Sequence, residues 1–234
     1  MSKQVIIYDL ETTGLNYTKD KIIEMYFYNV SQQTCLHLLV NPGVVVPPET
    51  VKVHGLTNMD LKNKPKFKDV MDDIEDFVGE NPYLISHNNI AFDKKFLLSE
   101  ILRSGFEKPK NWKFIDTLHL ARIAYPELSN YKQDTLREKL NISNKGNHRA
   151  NKDVLDLVTI YEKIITTLET QLQKKLTIRD IYKMSKQFTY KKMPFGKYKN
   201  QKLKDVPQDY VVWLQQNVFA SNRILRKSFK MILT

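Results

Sequence analysis

In VIIYDLETTGLN, residues 5–16, VIIYD at 5–9 reads as a buried strand ending on Asp9, Glu11 follows, and TTGLN turns at Gly14. Two further strand signals follow at once, KIIEMYFYNV at 21–30 and TCLHLLV at 34–40, which together predict an opening antiparallel meander. Residues 41–65 are irregular and marked by Pro42, Pro47, Pro48 and Pro65. Beyond them the pattern changes. FKDVMDDIEDFV at 67–78 has helical spacing, YLISH at 83–87 and KFID at 113–116 are short apolar strands, and helices are expected near 91–104, 117–123 and 133–140. A long helix carries Ala150, Val154, Leu157, Tyr161, Ile164 and Leu168 on one stripe. Three meandering strands followed by strands that alternate with helices predict an α/β fold, a mixed five-stranded sheet flanked by helices.

The chain has 234 residues and a net charge of +11, enough for one large domain or for one domain with a small appendage. The charge is unevenly spread: residues 1–170 hold 22 Lys+Arg against 23 Asp+Glu, and residues 171–234 hold 15 against 3. This shift divides the chain into a domain over 1–172 and a small basic α+β module over 173–234. The module is expected to contain a short helix near 177–186, a hairpin from 188 to 203, and helices near 207–217 and 221–231. A near-neutral body with a basic tail points to a polyanionic partner, nucleic acid before others. No apolar run approaches the ~18 residues of a membrane span, and MSKQVIIYDL has no long apolar leader segment. The lone Cys35 excludes an internal disulfide, reads as a small apolar strand residue, and fits a reducing, cytoplasmic location.

Four carboxylates and one histidine carry the chemistry: Asp9 and Glu11 in DLETTG, Asp93 in HNNIAFD, and His148 and Asp153 in HRANKD. An acidic strand end would explain Asp9 and Glu11 singly, and a helix dipole would explain Asp93. Placed together against apolar runs, the four acids are costly unless a cation or a network compensates them, and a bound divalent metal is the economical explanation. Asp9 and Glu11 are two residues apart at the end of a strand, and they share a face if extended geometry persists through Glu11. Thr12 and Thr13 add hydroxyls, and Gly14 lets backbone approach a ligand closely. Asp153 falls on the core-facing stripe of the long helix, where an unpaired charge is costly. His148, five residues earlier in a polar loop, is placed to take a proton from an attacking water. His87 takes a supporting role. All-oxygen donors and a single cysteine favour Mg²⁺ or Mn²⁺ over zinc or copper. Four carboxylates can hold two such ions about 3.5–4 Å apart, one activating water and one stabilising the leaving 3′ oxygen of a phosphoryl transfer.

The three motifs resemble those of the DEDDh subgroup of DnaQ-like 3′→5′ exonucleases, which have an RNase H-like fold. The resemblance implies metal roles for Asp9, Glu11, Asp93 and Asp153, and a general-base role for His148. It extends to VHGLT at 53–57, similar to a loop beside the substrate, and to FIDTLHLAR at 114–122. MPFGKYKNQKLKDVPQDYVVWLQQN at 193–217 is similar to the module that follows the nuclease domain in exonuclease X-like proteins. It implies a DNA exonuclease acting in repair or recombination on single- or double-stranded 3′ ends. Thr12, Gly14, Leu15, His54, Asn88 and Lys197 are then the candidate nucleic-acid contacts. No small-molecule cofactor is expected, and a homodimer or a repair-protein partner is compatible with the reading. The second motif has three residues between Asn88 and the Phe92-Asp93 pair where the family usually has two, so Asn88 or Asn89 fills that place. RNA 3′-end trimming and polymerase proofreading are the enzymatic rivals. An adaptor that kept the fold is the rival from another class, and it would be free to lose one of the five residues.

Overall fold

A computed structural model of the chain describes residues 4–142 and 150–233, of which 150–153 and 233 are described by their backbone alone. Two compact units emerge, one running to Lys186 and one beginning at Gln187.

In the first unit, strands β1 (Val5–Thr12), β2 (Ile22–Asn29), β3 (Thr34–Leu39), β4 (Tyr83–Ser86) and β5 (Lys113–Asp116) form one sheet in the order β3-β2-β1-β4-β5. The meander β1–β2–β3 is antiparallel, while β4 pairs parallel to β1 and β5 parallel to β4. The mixed five-stranded sheet is therefore present as expected. Proline-rich residues 41–65 hold two short helices, α1 (Pro48–His54) and α2 (Asn58–Leu61). Pro48 occupies the first helical position of α1, where its missing N–H costs nothing, and Gly55 closes that helix at φ 77°.

The alternation of side chains along β1 assigns its two faces. Ile6, Tyr8 and Leu10 join one core with Met71 and Ile74 of α3 (Met71–Val78) and Phe96, Leu97 and Ile101 of α4 (Asp93–Arg103). Ile7 joins the opposite core with Ile85 and Ile115. Over it lie α5 (Thr117–Ala124), α6 (Gln133–Lys139) and α7 (Ala150–Leu172), the last through Val154, Leu157, Ile160 and Ile164. Asp9 and Glu11, odd-numbered like Ile7, lie on the face that α7 covers.

Helix α8 (Ile178–Gln187) belongs to this unit, against the boundary at 172. Ile181 is buried in the α7 core and the Ser185 hydroxyl accepts from the Asp116 N–H at 2.9 Å. The amphipathic pattern of α8 gives it an apolar face to bury, and the charge shift at 171 does not report that packing. The second unit has its own core, which includes Met193, Leu203, Leu214 and Phe229. It is helical, with α9 (Gln208–Asn217) and α10 (Arg223–Leu233). The expected hairpin over 188–203 is present in short form: Met193 N–H donates to Gln201 O and Asn200 N–H to Met193 O, both at 2.8 Å, Leu203 N–H donates to Lys191 O at 3.1 Å, and Lys192 and Lys202 form an antiparallel bridge. Its intervening turn uses the left-handed Gly196, and a short 3₁₀ turn over Leu203–Asp205 ends the pairing.

Candidate active site

The residues of the first motif stand at the C-terminal end of β1. Asp9 and Glu11 are both half-buried and lie opposite Tyr26 and Glu24 of β2. A register irregularity between Glu11 and Thr12 ends the regular pairing there. The Thr12 hydroxyl donates to the Gly14 carbonyl at 2.6 Å, and the Thr13 hydroxyl accepts from the Lys21 N–H at 3.0 Å. A side chain at Gly14 would collide with the Asp20 carboxylate, which instead accepts from the Asn16 N–H at 2.7 Å. Leu15 projects from the loop, 86% exposed.

This loop is clamped to α4. Arg103 donates to the carbonyls of Tyr17 and Asp20 at 3.0 and 2.9 Å, and Ser99 donates to Tyr17 O at 2.9 Å. Glu100 accepts from Arg103 at 2.6 Å and from Lys21 Nζ and the Ile22 N–H at 3.3 Å. These residues were not singled out in the sequence. A Glu–Arg pair three apart on a helix is ordinarily a surface ion pair, and only the fold places a loop under it.

Asp93 opens α4 and is 2% exposed. Burial pushes its carboxyl up to about 7 and the charge of Asp116 adds to that rise, while the Ser86 hydroxyl and the backbone of Asp93 and Leu10 oppose it. The influence of Leu10 places this carboxyl beside the strand that bears Asp9 and Glu11. Tyr8, fully buried, is raised first by burial and then by the charges of Asp93, Asp116 and Asp9.

The choice in the second motif resolves into two environments. Asn89 is fully buried: its Oδ1 accepts from the Tyr8 hydroxyl at 2.7 Å and its Nδ2 donates to the carbonyls of Leu84 and Ile115 at 3.1 and 2.9 Å. Asn88 is exposed in a left-handed conformation at φ 62°. Asp116, capping α5, accepts from the Ile90 N–H at 3.0 Å and so holds the same turn from beneath. His87 donates from Nε2 to Tyr131 O at 2.7 Å and lies 2.9 Å from Thr117 Oγ1 through Nδ1. Burial holds its pKa down, which suits a neutral, supporting ring. His54 is buried at the end of α1, its Nδ1 accepting from the Leu56 N–H at 3.0 Å, and Lys197 belongs to the second unit.

Asp153 lies in the first turn of α7, directly before buried Val154, with its side chain outside the described residues, as is His148. Among the described residues no group of three or more His, Cys, Asp or Glu closes around an ion. What is described is a half-buried carboxylate pair with a third, strongly buried carboxyl nearby whose charged form is unfavourable unaided. That donor set, all oxygen, fits a hard divalent cation.

The family model described as Exonuclease matches residues 6–161. The chain belongs to this exonuclease family. A DNA polymerase III subunit epsilon of Rickettsia conorii is 32% identical over 174 residues, covering 70% of this chain and 74% of that protein. Exonuclease DPD1 of Arabidopsis thaliana, described as chloroplastic/mitochondrial, is 31% identical over 72% of this chain, which spans 58% of the plant protein's length. PolC-type DNA polymerase III proteins match too, and in the Pediococcus pentosaceus sequence the match spans only 10% of the protein. Among solved structures, exonuclease X in complex with 5′ overhanging duplex DNA superposes with a TM-score of 0.58 at 21% identity, covering 77% of this chain and 99% of that one. A zinc-ion-bound E. coli ExoI–ssDNA complex gives 0.61 at 18% identity, covering 74% and 42%. The described sheet and its helices are thus the RNase H-like exonuclease fold. Residues 183–232 match a second family model, described as a putative quorum-sensing-regulated virulence factor. Its start within α8 lies close to the division at 187.

Proposed function

We propose that the protein is a Mg²⁺-dependent 3′→5′ exodeoxyribonuclease that releases nucleoside 5′-monophosphates in the cytoplasm, in DNA repair or recombination. The observation that carries the reading is the pairing of Asp9 and Glu11 on one face of β1 with the buried, protonation-prone Asp93 beside that strand. Asp9, Glu11, Asp93 and Asp153 would hold two divalent ions, Mn²⁺ substituting for Mg²⁺, and these would supply an activated water and charge neutralisation at the leaving oxygen. The side chains of the chain do the rest. His148 takes the proton of the attacking water. Leu15, preset by the Arg103 clamp, packs against the terminal base, while Thr12, Gly14 and Asn88 line its approach. The basic second unit supplies phosphate contacts, Lys197 among them.

The test is degradation of 5′-labelled deoxy- and ribo-oligonucleotides, single-stranded, blunt and 3′-recessed, with and without Mg²⁺. A ladder shortening from the 3′ end of DNA is expected, abolished by EDTA and by Asp9→Ala or Asp153→Ala in a folded chain. Near-normal metal-dependent cleavage by either variant would refute the assignment. His148→Ala should cost about 10²–10⁴ in rate with binding kept. The similarity to a polymerase III epsilon subunit favours a second reading, excision at a polymerase's primer terminus. Preferential removal of mispaired 3′ nucleotides would select it.

A further inference from the structure

The aromatic side chains of the second unit are of two kinds. Tyr190, Phe195, Tyr198 and Tyr210 pack partly buried against its core. Trp213 stands outside that core, 47% exposed. It is nevertheless held: its ring stacks on Tyr210 with centroids 5.3 Å apart and planes 18° from parallel. Tyr210 in turn meets Tyr198 edge to face at 4.8 Å, and the Lys197 ammonium lies 5.3 Å from the Tyr198 ring. The Phe195–Tyr198 turn makes room for this row. Gly196 adopts φ 76°, and a Cβ there would collide with the Tyr210 hydroxyl.

An indole held from one side leaves a flat π surface in solvent beside exposed Val212. Apolar anchors for protein partners look similar, so charge decides between them. Residues 187–234 contain ten Lys+Arg against two acids, Asp205 and Asp209, a net of +8. A polyanion with accessible π faces is a nucleic-acid strand whose bases are unpaired.

We propose that the Tyr210–Trp213 stack is a base-stacking platform through which the second unit binds single-stranded DNA, with Lys197 on the backbone. The inference deepens the nuclease reading, on which it rests for the choice of DNA. Bases inside a duplex have no free face, so the platform favours unpaired strands.

The full-length chain in EDTA, where nothing is hydrolysed, is titrated with oligo(dT) and with a blunt duplex. Trp213→Ala should weaken oligo(dT) binding roughly five- to a hundredfold and leave duplex binding nearly unchanged. Trp213→Phe should keep most of the affinity and lose the binding-induced quenching of indole fluorescence, with circular dichroism checking the fold of both. Lys197→Ala should reduce the slope of log K against log salt by about one. Unchanged oligo(dT) affinity in Trp213→Ala, or an equal loss for oligo(dT) and duplex, overturns the proposal. Because hydrolysis is not read, failure of the nuclease reading in its own assay would leave this result standing, and the converse holds.

Discussion

In the metal-free chain Asp93 binds its proton far more tightly folded than unfolded, at about 7 against an ordinary value of 3.8. The stabilisation tied to that proton is complete below about pH 4 and is lost as pH rises through 7. Asp93→Asn should therefore raise the stability of the EDTA-treated protein at pH 8, by at most about 4 kcal/mol. The gain should shrink as pH falls toward 5. Mg²⁺ should then stabilise the wild type more than the variant. Melting curves at the two pH values decide the matter, and a variant no more stable at pH 8 would contradict it. Tyr8 and Asn89 make the complementary case. Tyr8→Phe leaves a buried amide oxygen without its donor and should cost about 1–3 kcal/mol in urea unfolding. Nothing in NNI at 88–90 distinguishes the two asparagines. They differ because Asn89 meets three groups from β1, β4 and β5, a convergence that exists only after the sheet has formed.

At the level of elements, the loop from Thr13 to Asp20 depends on α4 for its shape. Arg103→Ala removes both carbonyl bonds and one of the partners of buried Glu100. The expected result is a KM for oligonucleotides several-fold higher with kcat little changed, together with faster proteolysis between residues 14 and 20. An unaltered KM with intact protease resistance would show that the loop holds its form unaided. Periodicity was a good guide to the elements themselves: all five strands stand where alternation and apolar runs placed them, and Val154, Leu157, Tyr161, Ile164 and Leu168 are buried as one stripe. It overstated the length of the hairpin over 188–203, where lysines alternate with aromatics. There the rings pack inward around a glycine turn, and the pairing is confined to residues 191–193 against 200–203.

For the molecule as a whole, the placement of α8 sets where the chain can be cut. Truncation after Lys186 should leave the first unit with a cooperative thermal transition, whereas truncation after Leu172 strips Ile181 and Ser185 from its core and should lower Tm by several degrees. Equal Tm values for the two truncations would place α8 outside the unit. Removing residues from 187 onward should also flatten the salt dependence of DNA binding, because +8 of the chain's +11 goes with them. By itself the sequence determined the sheet, the covering helices, the acidic positions and the location of the basic end, since apolar period, turn residues and charge are properties of the chain read locally. Only the tertiary structure decided which asparagine is buried, what Gly14 makes room for, that Arg103 holds the Leu15 loop, and that Trp213 rather than the FGKY aromatics faces solvent. Each of these depends on groups distant in sequence arriving at one place, and no local pattern records that arrival.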